Sequence, residues 1–295
     1  MTSLPHPSAP ERKNRIGKRF ARLAAEGRGA LIPYLEAFDP DRATSLALLK
    51  AMPEAGADLI EVGVPFSDPS ADGPTIQQAA ERGLKAGATL EGVLEMVAEF
   101  RQTDDETPIV LMGYCNPIDR FGPEKFCRAA ARAGVDGLIV VDLPPEEVAL
   151  LAPHARANGL DIITLTAPTT PQARLNTILK NATGFVYYVS IAGVTGTASA
   201  TTAQLRSALE RLRQATSLPV AIGFGIRTPQ QAAEASRIAD GAVVASALIK
   251  TLASTLNDGQ ATPQTLPAVL AQLRQLAAGV RGEALPSQDE RSHRE

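Results

Sequence analysis

The sequence predicts an α/β fold in which eight parallel strands alternate with helices and close into a single-domain (βα)8 TIM barrel. Three observations carry this expectation. A helix-to-strand boundary recurs, in which a small residue or Gly, often followed by Asp, precedes a short apolar run. It is seen in AGADLIEVGV (55–64), AGVDGLIVVDL (133–143), NGLDIITLT (158–166), ATGFVYYVS (182–190) and IADGAVVAS (238–246). Gly134, Gly159 and Gly184 are spaced 25 residues apart, the length of one helix, one strand and two turns, and Gly suits helix C-caps that need a left-handed backbone. Finally, the runs are rich in Val, Ile and Leu without strict alternation, as expected of parallel strands buried on both faces.

The elements follow in order. A helix is expected over Asn14–Glu26, ahead of a first strand at 30–35. Further strands fit at 107–114 and 218–224, which with the five boundaries above makes eight. Amphipathic segments fall at 42–55, 89–103, 122–132, 145–157, 202–214 and 229–237, and a final helix at Pro263–Ala278 follows the last unit. Alternating βα units build parallel sheets, and closing the sheet removes its edges. An open doubly wound sheet is the alternative on pattern alone. The barrel is expected to span 14–280, with polar, frayed tails at 1–13 and 281–295.

The 295 residues carry 44% apolar and 21% charged residues and a net charge of −3, enough apolar content for a large core. With no basic block, nucleic acid is not the expected partner. The N-terminal stretch lacks the apolar region of a signal peptide, and no apolar run approaches the ~18–20 residues of a membrane span. Two cysteines, Cys115 and Cys127, fit a reducing cytoplasm better than a disulfide framework. The only histidines are His6, His154 and His293, and none follows an expected strand. A zinc site or histidine base has almost no candidates, so acid–base work falls to carboxylates, tyrosine or lysine.

In such a barrel, chemistry sits at the C-terminal ends of the strands. Glu61 lies within an apolar strand, between Ile60 and Val62, and points either into the barrel or out to the helix layer. An unpartnered carboxylate in either place is costly to ionise, so its pKa should rise toward the range of a general acid–base. A structural Glu satisfied by backbone or an Arg is the other reading. Asp68 and Asp72 occupy a long following loop with Pro65, Pro69, Gly73 and Pro74; they are either active-site residues or turn and cap formers. Gly-rich turns at 190–199, 223–229 and 243–250 follow the sixth, seventh and eighth strands. Late-barrel turns of this kind, with a helix N-terminus opened by Ser246, suit a phosphate. There is no GxGxxG or P-loop to suggest a dinucleotide or ATP.

With these motifs read, the chain resembles the tryptophan synthase α-subunit family. EVGVPFSDPSADGPTIQ (61–77) is very close to that family's signature, and LMGYCNP (111–117), VVDLPPEE (140–147), YYVSIAGVTG (187–196) and GFGI (223–226) agree in order and spacing. The resemblance covers residues from about 15 to about 280. It implies retro-aldol cleavage of indole-3-glycerol phosphate to indole and glyceraldehyde-3-phosphate. Glu61 would protonate indole C3 and help deprotonate the glycerol hydroxyl, and Asp72 would hold the indole N1–H. Tyr34, Met112, Ile139, Phe224 and Tyr187 would line the indole pocket, with Ile76, Tyr114 and Thr195 also among the substrate-binding residues. Phosphate would be held near Gly196, Gly225, Ala245 and Ser246. No metal, Schiff-base lysine or organic cofactor is implied in this subunit.

The resemblance further implies a PLP-dependent β subunit as partner in an αββα assembly, with indole passing through a tunnel. Segments 65–73 and Asn116–Pro117 are the family's contact regions, and loops 65–73 and 190–202 would close over substrate. Three departures stand out. Glu36 and Phe38 replace the family's usual Thr and Gly, and Ala245 replaces a usual Gly, which would strain any position of positive φ. Glu36 and Phe38 leave room for a free-standing lyase releasing indole, while a non-catalytic regulatory subunit, the third reading, is opposed by the intact Glu61 and Asp72.

Overall fold

A computed structural model describes residues 14–189, 202–223 and 225–283. The first helix, α1 (Arg15–Ala25), begins where the Asn14 side chain accepts the Gly17 N–H at 2.9 Å. It buries Ile16, Phe20 and Leu23, spaced to fall on one helical face. The strands that follow are β1 (Ala30–Glu36), β2 (Ile60–Gly63), β3 (Ile109–Gly113), β4 (Gly137–Val140), β5 (Asp161–Ile162), β6 (Thr164–Thr166), β7 (Val186–Val189), β8 (Val220–Gly223) and β9 (Gly241–Val244). All pair in parallel, in the order β5-β4-β3-β2-β1-β9-β8-β7-β6.

The two ends of that ladder, β5 and β6, are separated only by Ile163. They are the two halves of the single strand expected over 158–166. The early half pairs with β4, the late half with β7. Strands in a barrel are staggered, so one strand hands its pairing from one neighbour to the other along its length. The eight βα units therefore close into the expected barrel, with the fifth strand divided at its hand-over point.

Between the strands lie α2 (Arg42–Ala51), α3 (Pro74–Lys85), α4 (Leu90–Arg101), α5 (Cys115–Phe121), α6 (Pro123–Ala133), α7 (Ala152–Ala157), α8 (Gln172–Leu179), α9 (Thr202–Ala215), α10 (Pro229–Ile238) and α11 (Ser246–Ser254), with α12 (Thr265–Arg281) at the end. The sequence reading had Pro74 in a loop. It is instead the first residue of α3, because Pro lacks an N–H that a helix start leaves unsatisfied anyway. The short helices α5 and α8 were also not singled out.

The apolar residues sort into two layers. Ile60, Val62, Leu111 and Leu138 pack outward with the helices. Leu59, Val110, Ile139, Phe185 and Val243 fill the barrel, together with Ile16, Phe20 and Leu23 of α1. The rings of Phe20 and Phe185 meet at 5.6 Å, so α1 stoppers the N-terminal end of the barrel.

The Asp of the recurring boundary has a defined use. Asp58, Asp136 and Asp240 each precede a strand and accept the N–H of Leu31, Ile109 and Val220, respectively, at 2.8–2.9 Å. Each carboxylate thus ties its strand to the one beside it, and Arg28 clamps Asp58 through two further bonds of 2.8 and 2.9 Å. No helix among the described residues is long and apolar enough to cross a membrane.

Candidate active site

The inward-facing positions at the C-terminal ends of β1, β2, β3 and β7 converge. Because Leu59 faces into the barrel and Ile60 and Val62 face the helices, alternation turns Glu61 inward. That settles the direction left open by the sequence. Glu61 is 1% exposed, and its Oε1 has no hydrogen-bond partner among the described residues. Burial in this apolar setting pushes its pKa up to about 8, since the charged form loses hydration without gaining a partner.

Two tyrosines flank it. Tyr34 is the register partner of Glu61 across β1 and β2, and its hydroxyl lies over Gly63, where a β-carbon would collide with it. Tyr187 lies over Gly223 in the same way. Burial, with the nearby Glu61 second, keeps the Tyr187 phenol protonated well beyond its ordinary range. Met112 and Ile139 are register partners on β3 and β4, and both belong to the inner layer. Met112 also touches the cluster of Tyr34, Ile76, Ala79 and Ile249, which roofs the barrel beneath α3 and α11.

Asp72 reaches the site from the loop ahead of α3. The Tyr114 hydroxyl donates to its Oδ2 at 2.8 Å and accepts the Ala71 N–H at 3.0 Å, while Gln77 donates to the Asp72 carbonyl at 2.8 Å. Phe66 packs on the Tyr114 ring at 5.2 Å. Burial raises the Asp72 pKa, and the Tyr114 bond works against that. Asp68 behaves differently: it is exposed and accepts from the adjacent Ser67, the turn-forming use of Asp. A pocket is lined by Tyr34, Glu36, Phe66, Asp72, Met112 and Tyr114. Glu36 was read from sequence only as a packing change. Its position two residues after Tyr34 on one strand is the signal that places both on one face.

Across the same rim, after β8 and β9, Gly225 has φ +71°, and α11 begins at an exposed Ser246 with no side-chain cap over its first turn. Open N–H groups at such a terminus suit an anion. Thr195, Gly196 and Phe224 lie outside the described residues. Among the described residues, no group of three or more His, Cys, Asp or Glu is arranged to hold a metal ion.

The family model for the tryptophan synthase alpha chain matches residues 20–280. The chain belongs to the tryptophan synthase alpha chain family. A tryptophan synthase alpha chain of Gluconobacter oxydans is 71% identical over 268 residues, covering 91% of this chain and 99% of the relative. That of Acidiphilium cryptum is 57% identical over 271 residues, covering 92% and 98%. The solved tryptophan synthase subunit alpha from Legionella pneumophila is similar at a TM-score of 0.84 and 39% identity, over 92% of this chain and 100% of that one. A crystal structure of tryptophan synthase from M. tuberculosis gives 0.81 and 36%, over 92% and 100%.

Tryptophan synthase alpha chains are lyases of tryptophan biosynthesis that catalyse the α reaction, the cleavage of indole-3-glycerol phosphate, and that is the activity to which the resemblance pointed. The departures from the family pattern now have physical readings. Ala245 has φ −114°, so its methyl meets no left-handed strain. Phe38, by contrast, sits at φ +65°, a conformation that suits Gly far better.

Proposed function

We propose that Glu61 and Asp72 divide the α reaction between them. The supporting observation is that Glu61 is buried, inward-facing and, among the described residues, without a charged partner. A carboxyl with a pKa of about 8 still holds its proton near neutral pH and can deliver it. Glu61 gives that proton to indole C3, turning the ring into an indolenine whose C3 can leave. Asp72, steadied by Tyr114, accepts a hydrogen bond from N1–H as positive charge develops on the ring. The Glu61 carboxylate then takes the glycerol hydroxyl proton as the C–C bond breaks. Indole and glyceraldehyde-3-phosphate result, and Glu61 regains its proton.

In this reading, Tyr34, Ile76, Met112, Ile139, Tyr187 and Phe224 enclose the indole, with Tyr114 and Thr195 beside it. Gly196, Gly225, Ala245 and Ser246 hold the phosphate. The catalytic unit is 14–280, between tails at 1–13 and 281–295. The chain works in the cytoplasm without a cofactor of its own, beside a PLP-dependent β subunit in an αββα assembly.

The test is indole release from indole-3-glycerol phosphate by the purified chain, alone and with a β subunit, beside Glu61→Gln. Slow cleavage that the β subunit accelerates and Glu61→Gln abolishes is expected. Fast cleavage indifferent to a partner would point to a free-standing lyase. No cleavage under either condition would overturn the assignment.

A further inference from the structure

Glu36 is a buried carboxyl that the chemistry above does not use. It ends β1, is 2% exposed and lines the same pocket as Asp72. The Tyr34 hydroxyl donates to its Oε2. Register sets Glu36 beside Gly63 and Tyr34 beside Glu61. A β-carbon at Gly63 would collide with the Tyr34 hydroxyl and come within 2.6 Å of the Glu36 carboxyl. The phenol and carboxyl therefore lie together across the end of β2, just past Glu61.

Among the described residues, Glu36 has no cation of its own. The groups that face it are Tyr34 on its own strand, Asp72 ahead of α3, Asp39 in the loop after β1, and Arg82 on α3. Arg82 is bound to Asp39 through Nε at 2.6 Å and Nη2 at 2.8 Å. A Glu36 carboxylate would sit out of water near two other carboxylates, with the Tyr34 hydroxyl as its direct bond.

We infer that Glu36 is a positioning residue that acts as a neutral acid, holding the Tyr34 phenol across Gly63 as a fixed wall of the pocket beside Glu61. The inference rests on the proposed role of Glu61. Burial, opposed by the Tyr34 bond, leaves the Glu36 pKa at about 8, so the acid form prevails near neutrality. Ionisation adds a negative charge to a pocket that already holds Asp72, beside the carboxyl of Glu61. It also raises the cost of keeping Asp72 ionised.

The experiment compares wild type, Glu36→Ala, Glu36→Gln and Tyr34→Phe in three measurements. The first is kcat and KM for indole-3-glycerol phosphate cleavage from mildly acidic to mildly alkaline pH. The second is the affinity for indole, and the third is the infrared carbonyl band of protonated carboxyl groups during a pH titration. A lost buried hydrogen bond of about 1.4 kcal/mol corresponds to about tenfold, so Glu36→Ala and Tyr34→Phe should each weaken indole binding and raise KM by about that factor. Combining them should add little. Glu36→Gln, whose amide oxygen can still accept from Tyr34, should recover most of the loss. Its activity should fall on the alkaline side with one ionisation where the wild type shows two, and its infrared titration should lack one carboxyl near pH 8.

A glutamine variant as impaired as the alanine one near neutrality would overturn the inference, as would an infrared titration unchanged by Glu36→Gln. Unaltered indole binding in both Glu36→Ala and Tyr34→Phe would do so too. If the wild type fails to cleave, the role of Glu61 falls, while indole binding and the infrared titration still decide that of Glu36.

Discussion

Phe38 sets two effects against each other. Its φ of +65° costs a side-chain-bearing residue about 1–2 kcal/mol, yet its ring is 5% exposed and lies against Gly92. Truncating a buried Phe costs about 3–5 kcal/mol, so packing wins and the strain is carried. An unusual order follows. Phe38→Ala loses the ring and keeps the strain, whereas Phe38→Gly loses both, so the glycine variant should be the more stable by about 1 kcal/mol in urea unfolding. At Asp72, Tyr114→Phe removes a hydroxyl bonded to a carboxylate, an interaction of about 1.5–3 kcal/mol, and should lower kcat/KM for cleavage at least tenfold with little change in fold by circular dichroism. The sequence made Glu61 conspicuous as a carboxylate inside an apolar run. It did not reveal its direction, because all four residues of β2 are buried and alternation marks a face only where one side meets water. Glu36 stayed obscure for a related reason: its meaning depends on Gly63 and Asp72, which only the folded register brings beside it.

Helix α12 shows how a local rule yields to packing. Gly279 lies in the last turn of the helix, still inside it, where Ala is ordinarily better by up to about 1 kcal/mol. Here a β-carbon would strike the Pro229 carbonyl at the start of α10. Gly279→Ala should therefore destabilise by about 1–3 kcal/mol, read as a lower guanidinium midpoint at unchanged slope. The strands were legible because both their faces are apolar and because Gly and Asp punctuate their starts. That Asp was read as punctuation only; it also ties the N–H of the preceding strand, a role that spans some 20–30 residues and leaves no local mark. Pro74 misled for the opposite reason, since Pro and Gly signal a loop and a helix start equally well. The division of strand five was equally hidden, because stagger belongs to the closed barrel and not to one segment.

Over the whole molecule, burying two carboxyls at the mouth couples stability to pH. Glu61 and Glu36 rise from an ordinary value of 4.5 to about 8. Between those values the folded chain holds protons that the unfolded chain has released, so each group lowers stability as pH climbs through that window and adds no further loss above it. The slope is at most about 1.4 kcal/mol per pH unit for each group. Glu61→Gln removes one such contribution. Its unfolding free energy should gain steadily on the wild type from about pH 5 to about pH 8, the ordinary and raised pKa values bracketing that span. Parallel curves across that range would contradict the buried, unpartnered state of Glu61. The α1 stopper has a different consequence. With Ile16, Phe20 and Leu23 wedged into the far end, the barrel is a blind well. With that end plugged, substrate reaches Glu61 from the C-terminal strand ends, and the products made there leave on the side away from α1.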